Sequence, residues 1–263
     1  ITVAIYVEKG SPTVRIDCKC DWIELGKKET FVPQLNIIFP LPVDNSVRLF
    51  EVPFGVVNRD IENIDVPVLK WADISGTLKG SGKTVGLTVI TDSKYGVRTD
   101  KDFLAVSLIR SSFDPDPYPE AGEHRFSISI IPHIGHCDKG NAYKDAITLD
   151  QPLTVFQCPA SVGNLPLAVS FMEISNKNIV LSALKKQEDD NKLIIRLYEV
   201  EGVNTDAEIK FSPFLFRKGV AVTGADLMER KRGRTILSTD GIVKWRVPAN
   251  GLITLILEPV SKI

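Results

Sequence analysis

Apolar positions along this chain recur mostly at every second residue, in short runs separated by Gly, Pro, Asn and Asp. That period belongs to strands whose two faces meet different surroundings, and long helical periodicity is nearly absent. The opening Thr2-Val-Ala-Ile-Tyr-Val runs into a turn at Gly10-Ser-Pro12. Val14, Ile16, Cys18, Cys20 and Trp22 then alternate strictly, and one buried and one wet face suits antiparallel pairing. Gln34 to Phe39 and Arg48 to Val52 read as a second strand pair across the connection from Pro40 to Ser46. Leu87 to Thr91 forms a strand before the turn Asp92-Ser-Lys-Tyr-Gly96, and the glycine-rich run from Gly80 to Gly82 reads as a hairpin tip. Leu104 to Ile109 begins another strand, which breaks at Asp114-Pro-Asp-Pro-Tyr-Pro119. Proline donates no ladder bond and cannot sit inside a helix, so this is a rigid excursion. The strand pattern resumes at His124 to Ile131, strictly alternating from Phe126 to Ile130, and the two runs predict a hairpin around an acidic loop.

Gly140 to Asp150 is the clearest helical stretch, with Ala142, Ala146 and Leu149 at helical spacing and Pro152 as its stop. It divides the chain into a domain over 1–152 and a second over 153–263. The second half offers six more strands: Phe171 to Ile174, Ile179 to Leu184, Leu193 to Glu199, Ala207 to Phe211, Gly219 to Val222 and Leu252 to Leu257. Gln187 to Asn191 is a charged turn, and the basic run from Arg230 to Arg234 reads as a solvated hairpin tip. The whole is an all-β protein of the sandwich or barrel type.

Charge narrows the partners. Lys plus Arg is 32 against Asp plus Glu 33, a net charge of -1, which argues against nucleic acid or an anionic membrane surface. No apolar run approaches the ~20 residues that span a bilayer. The chain begins with Ile and reads as a fragment or a processed product. Cys18 and Cys20 share one strand face, and a zinc pair there is outweighed by two free thiols, because metal sites usually repeat a wider spacing. Sparse cysteines suggest a reducing compartment and a cytoplasmic location.

The order Leu108, Arg110, Ser111, Asp114 to Pro117, Gly122, His124, Phe126, Pro132, His133 and Gly135 resembles the C-terminal region of glycoside hydrolase family 38, the α-mannosidases. Asp21-Trp22, Phe39-Pro-Leu41, Glu51-Val-Pro-Phe-Gly55 with Arg59, and Trp71-Ala-Asp-Ile-Ser75 extend the likeness. Asp150-Gln-Pro-Leu153 matches with Asp where Asn is common, and Ser182 to Lys185, Arg196 to Glu199, Asp226 to Glu229 and Pro248 to Leu255 carry it through the second half. The resemblance implies a partial galactose-mutarotase-like supersandwich followed by a smaller antiparallel β-sandwich. It implies a full-length enzyme that hydrolyses α-mannosides with retention. The nucleophile and the zinc ligands of that family lie in a catalytic domain whose segments this chain lacks. Neither a catalytic residue nor a metal site is therefore assigned here, and zinc is expected in the missing domain.

The resemblance makes Asp92, Lys94, Tyr95 and Arg98 the candidate wall of the sugar cleft. Arg110, Asp116, Glu123 and His124 are assigned a structural network that holds the proline hairpin. His133, His136 and Cys137 have few partners for a metal, so a hydrogen-bonded histidine pair is the better account. Expected partners are an α-mannoside or oligosaccharide acting through the full enzyme, the absent catalytic domain, and a homo-oligomer. Two alternatives remain open. An independent carbohydrate-binding module would need exposed aromatics at Trp71, Tyr95 and Tyr118, although Trp22 and Trp71 read first as core. An aldose-epimerase-like enzyme would need His124, His133 and Glu199 in one cleft.

Overall fold

The computed structural model describes residues 1–60, 63–160, 162–163 and 166–260. Nearly all regular structure is antiparallel strand, in two compact units: Ile1–Asp138 with Ala142–Pro152, and Lys139–Asn141 with Leu153–Ile263.

The first unit contains β1 (Thr2–Val7), β2 (Val14–Trp22), β3 (Gln34–Pro40), β4 (Val43–Val52), β5 (Gly55–Asn58) and β6 (Val66–Pro67). It continues with β7 (Trp71–Leu78), β8 (Thr84–Thr91), β9 (Gly96–Asp100), β10 (Phe103–Arg110) and β11 (Gly122–Ile134), then α1 (Lys139–Asp150) from Ala142 onward. A seven-stranded sheet runs β1-β2-β11-β8-β7-β4-β5 and a four-stranded sheet runs β3-β10-β9-β6. Their facing sides form one apolar core. Ile16, Cys18, Cys20, Phe50, Ile74, Val89 and Ile128 on the larger sheet pack in one cluster with Phe39, Val97, Leu104, Val106 and Leu108 on the smaller. The alternation in β2 is as expected: Ile16, Cys18 and Cys20 are buried, and Trp22 donates from Nε1 to Ser111 Oγ at 2.6 Å.

Two expected pairings are corrected. The runs on either side of the proline loop are not a hairpin. β10 is bonded by β3 and β9 in the small sheet, while β11 lies between β2 and β8 in the large one. The loop from Ser111 to Ala121 crosses between layers. In the same way β3 pairs with β10 and β4 with β5 and β7, so those two strands also belong to opposite sheets. Alternation identifies a strand and its buried face, but both sheets bury the same kind of face, so it does not say which layer a strand joins. The hairpins that hold have short turns: β1–β2, and β7–β8 through Gly80 and Gly82, both with positive φ.

Helix α1 begins one residue before the expected run and buries Ala142, Tyr143 and Ala146, whereas Leu149 is exposed. Tyr143 meets Trp71 edge to face at 5.5 Å and donates to the Gly55 carbonyl at 2.7 Å, so the helix covers the outer face of the large sheet.

The second unit is a sandwich of a three-stranded and a five-stranded sheet. The strands are β12 (Met172–Ile174), β13 (Ile179–Lys186), β14 (Leu193–Glu199), β15 (Thr205–Phe211), β16 (Val220–Ala225), β17 (Lys231–Ser238), β18 (Ile242–Val247) and β19 (Leu252–Pro259). The orders are β12-β15-β18 and β13-β14-β19-β16-β17. Ile195, Leu197, Ile209, Val222, Val243 and Leu255 are central to its core. The basic run is corrected: the tip is Asp226 to Glu229, and Lys231 onward is an edge strand paired with β16. A charged edge strand resists pairing with other chains, and that charge is what hid it from a periodicity search.

Glu199 ends β14 and is fully buried. Its two oxygens accept from the backbone N–H of Glu201, Gly202, Val203 and Asn250 and from Asn178 Nδ2, at 2.7–3.1 Å. Burial alone would raise its pKa, but these donors outweigh burial and hold it below the usual glutamate value. The carboxylate ties the turn after β14 to the turn before β19. A depressed folded pKa gives stability that is present above the unfolded value and lost as pH falls through the folded one. Glu199→Gln turns an amide NH2 toward backbone donors, and it is expected to cost about 2–3 kcal/mol in urea unfolding at neutral pH. The difference from wild type should shrink under acid conditions; a cost that stays constant with pH would contradict the assignment.

Candidate functional site: the outer face of the large sheet

Ala72 and Ile74 belong to the core, so Trp71, Asp73 and Ser75 point to the other side of β7. That side is also shielded: Trp71, Asp73 and Ser75 are all 0% exposed. Polar groups there need partners, and β11 supplies them across β8. Gly86 lies opposite both Ser75 on β7 and His133 on β11. Lacking a side chain, Gly86 leaves a notch that the His133 ring fills; a Cβ there would lie 2.2 Å from His133 Cε1. Through that notch His133 Nε2 reaches Asp73 Oδ2 at 2.7 Å, and Thr88 Oγ1 donates to the same oxygen at 2.8 Å.

His133 Nδ1 is 3.2 Å from the Gly135 carbonyl. A carbonyl only accepts, so Nδ1 must carry a proton, and donation to Asp73 requires a second proton on Nε2. Opposite a carboxylate at Asp73, only the imidazolium makes both bonds. The bond to Asp73 raises the pKa of His133, outweighing the burial that would lower it. Gly135 turns the chain with φ 82°, and His136 Nδ1 comes 3.2 Å from Ser75 Oγ. The expected histidine pair is thus present, and both rings fasten the segment leading into α1 onto β7. Among the described residues no group of three or more His, Cys, Asp or Glu is placed to hold a metal. This donor set does not fit the zinc that the resemblance implies for a catalytic domain.

Further along the same face, polar side chains of β2, β11 and the β8–β9 turn form a second network. Arg15 makes a two-pronged contact with Asp17 at 2.7 and 2.8 Å, and Ser127 Oγ donates to Asp17 at 2.5 Å. Burial would raise the Asp17 pKa, but the bonds from Arg15 and Ser127 hold it below the usual aspartate value. Asp92 accepts the Ser127 N–H at 2.9 Å and borders two concavities on this face.

The other expected wall residues go elsewhere. Lys94 Nζ lies 4.9 Å over the ring of Phe126, Tyr95 is exposed on the turn, and Arg98 is a half-buried residue of β9 in the small sheet. The expected loop network does not close on itself. Glu123 pairs with Lys19 and Arg125, His124 Nε2 with the Glu120 carbonyl, and Asp116 accepts the Tyr118 N–H. Arg110 is exposed and forms no ion pair among the described residues. Once the hairpin is absent, nothing draws these four together. Of the proposed aromatic platforms, Trp71 is fully buried while Tyr95 and Tyr118 are exposed. Glu199, with both oxygens occupied by structural donors, has no capacity to serve as an epimerase acid or base.

Sequence reasoning missed Asp73 and Gly86 as partners of His133. The available signal was Asp-x-Ser on one predicted strand and a lone Gly at the start of the next, but the register that joins them is tertiary.

Comparison with known proteins agrees with this architecture. The model of the glycosyl hydrolases family 38 C-terminal domain matches residues 1–118, and that of the family's C-terminal beta sandwich domain matches residues 178–255. The chain belongs to the C-terminal region of glycosyl hydrolase family 38. It is 26% identical over 219 residues to alpha-mannosidase 2C1 of Homo sapiens, covering 79% of this chain and 20% of that protein. It is 25% identical over 237 residues to alpha-mannosidase G of Dictyostelium discoideum, covering 86% of this chain and 21% of the relative. The chain therefore spans about a fifth of the length of these relatives. The solved alpha-mannosidase of Enterococcus faecalis V583 superposes with a TM-score of 0.74 at 16% identity, over 97% of this chain and 28% of that one, and so shares the fold.

Two substitutions test the notch. Gly86→Ala should displace the His133 ring and cost about 2 kcal/mol or more, through overpacking and loss of the Asp73 contact. Because folding raises the His133 pKa, the pair's contribution is complete below the unfolded value of 6.5 and is lost as pH rises through the folded pKa. His133→Gln should therefore flatten the decline of the urea midpoint above pH 6.5 that wild type shows. Parallel profiles for the two proteins would count against an imidazolium at this position.

Proposed function

We propose that this chain is the non-catalytic C-terminal β region of an enzyme that hydrolyses α-mannosides with retention. Its task is to scaffold a catalytic domain carried elsewhere in the polypeptide. The observation that carries this reading is the pair of family matches in chain order, on an architecture in which several shielded carboxylates are engaged in structural bonds. Retaining glycosidases place two carboxyl groups about 5 Å apart, one as nucleophile and one as acid and base. Here Asp73 is committed to His133 and Thr88, Asp17 to Arg15 and Ser127, and Glu199 to five donors.

The zinc of the family belongs to the catalytic domain in this reading, and 1–152 and 153–263 are separate folding domains. Asp92 borders two concavities, and it is the residue assigned to a sugar-facing wall. No helix among the described residues is long and apolar enough to cross a membrane, and none of the four cysteines is in a disulfide. A reducing, cytoplasmic setting and association into a homo-oligomer complete the proposal.

A replacement experiment tests it. The corresponding C-terminal region of the Saccharomyces cerevisiae alpha-mannosidase, 25% identical to this chain over 231 residues, is exchanged for this chain. The hybrid should hydrolyse an aryl α-mannoside where the truncated enzyme does not, and the isolated chain should release no product with or without added zinc. Hydrolysis by the isolated chain would overturn the reading.

A further inference from the structure

Three concavities follow one another along the outer face of the first unit, and shared side chains join them. The first, about 410 Å3, lies between Tyr6, Arg15, Asp145 and Thr148. The second, about 260 Å3, shares Arg15 and reaches Asp92 and Ser127. The third, about 330 Å3, shares Asp92 and Ser127. Every residue lining this groove belongs to the first unit.

We propose that the groove binds a linear, uncharged oligosaccharide, with one part of the ligand in each concavity. The choice of a mannose oligosaccharide rests on the reading given above; the class of ligand rests on the groove. An anion is disfavoured because Glu8, Asp92, Asp145 and Asp150 line the concavities, Arg15 is paired with Asp17, and Lys19 and Arg125 at the third concavity are both paired with Glu123. A lipid finds no continuous apolar wall, since hydroxyl and carboxyl groups punctuate the whole length. A polyol suits it. Each sugar hydroxyl both donates and accepts, so it can bridge a carboxylate and a guanidinium or hydroxyl that stand side by side. Asp145 is half-buried, makes no hydrogen bond or ion pair among the described residues, and lines the largest of the three concavities. Burial raises its pKa, as expected of a carboxyl that lacks a partner. Tyr6 is 53% exposed at the same concavity and carries the Arg15 guanidinium 5.8 Å from its ring centre. An exposed ring beside donors and acceptors is the arrangement that takes the C–H face of a pyranose.

Isothermal titration calorimetry of the 263-residue chain with an α-linked mannotriose, and separately with mannose, tests the assignment. Mannotriose should give saturable heat and bind at least about tenfold more tightly than mannose, which occupies only one of the three places. Tyr6→Ala and Asp145→Ala should each weaken mannotriose about threefold or more with Tm unchanged, because neither side chain is in the core. No saturable binding, equal affinity for both sugars, or affinity untouched by both substitutions overturns the groove as a saccharide site. Those results leave the mannosidase reading standing, since that reading is decided by the replacement experiment.

Discussion

Strand β7 is buried along both faces from Trp71 to Gly76, and the first unit is built around that condition. On one face the requirement is met by oil: Ala72 and Ile74 pack against the small sheet. On the other it is met by a mixture. Trp71 meets Tyr143 edge to face, and Asp73 Oδ2 is held by Thr88 and by a histidine two strands away, while Asp73 Oδ1 has no hydrogen-bond partner among the described residues. A buried carboxyl without partners is costly, so the arrangement that supplies them is tightly specified. Gly86 is the point at which it is specified. The strand between Asp73 and His133 must carry no side chain there, or the ring cannot cross.

The same logic explains why helix α1 lies where it does. The segment from His133 to His136 is fastened to Asp73 and Ser75 just before the helix begins, and Tyr143 is fastened to Trp71 and Gly55 just after. The helix is therefore held near its start by polar bonds and along its length by an aromatic contact. Its far end is joined to the sheet by the ion pair of Asp150 with Lys70. The groove lies between this helix and the exposed polar side chains of β2 and β11.

The second unit shows the same economy in simpler form. Glu199 and Glu229 are buried carboxylates, and each gathers loops. Glu199 holds two turns through backbone N–H groups, while Glu229 meets Lys185 and Arg196 and accepts the Glu188 N–H. Such groups look like chemistry in a sequence, because glutamates flanked by basic residues invite a catalytic reading. In the folded unit their oxygens are occupied by structural donors.

The sequence by itself determined that this is an antiparallel β protein, where most strands begin and end, which face of β2 or β11 is buried, and where helix α1 lies. It also carried enough ordered motifs to place the chain within its family. These are local properties: a period of two, a turn residue, a spacing of short motifs. The tertiary structure alone decided which of two sheets each strand joins, that His133 answers to Asp73 across Gly86, and that Asp92 borders concavities on the large sheet while Arg98 belongs to the small one. Both sheets of a sandwich ask for the same alternation, and a contact across two strands is set by register. Neither quantity is written within a few residues of the chain, so neither could be read from it.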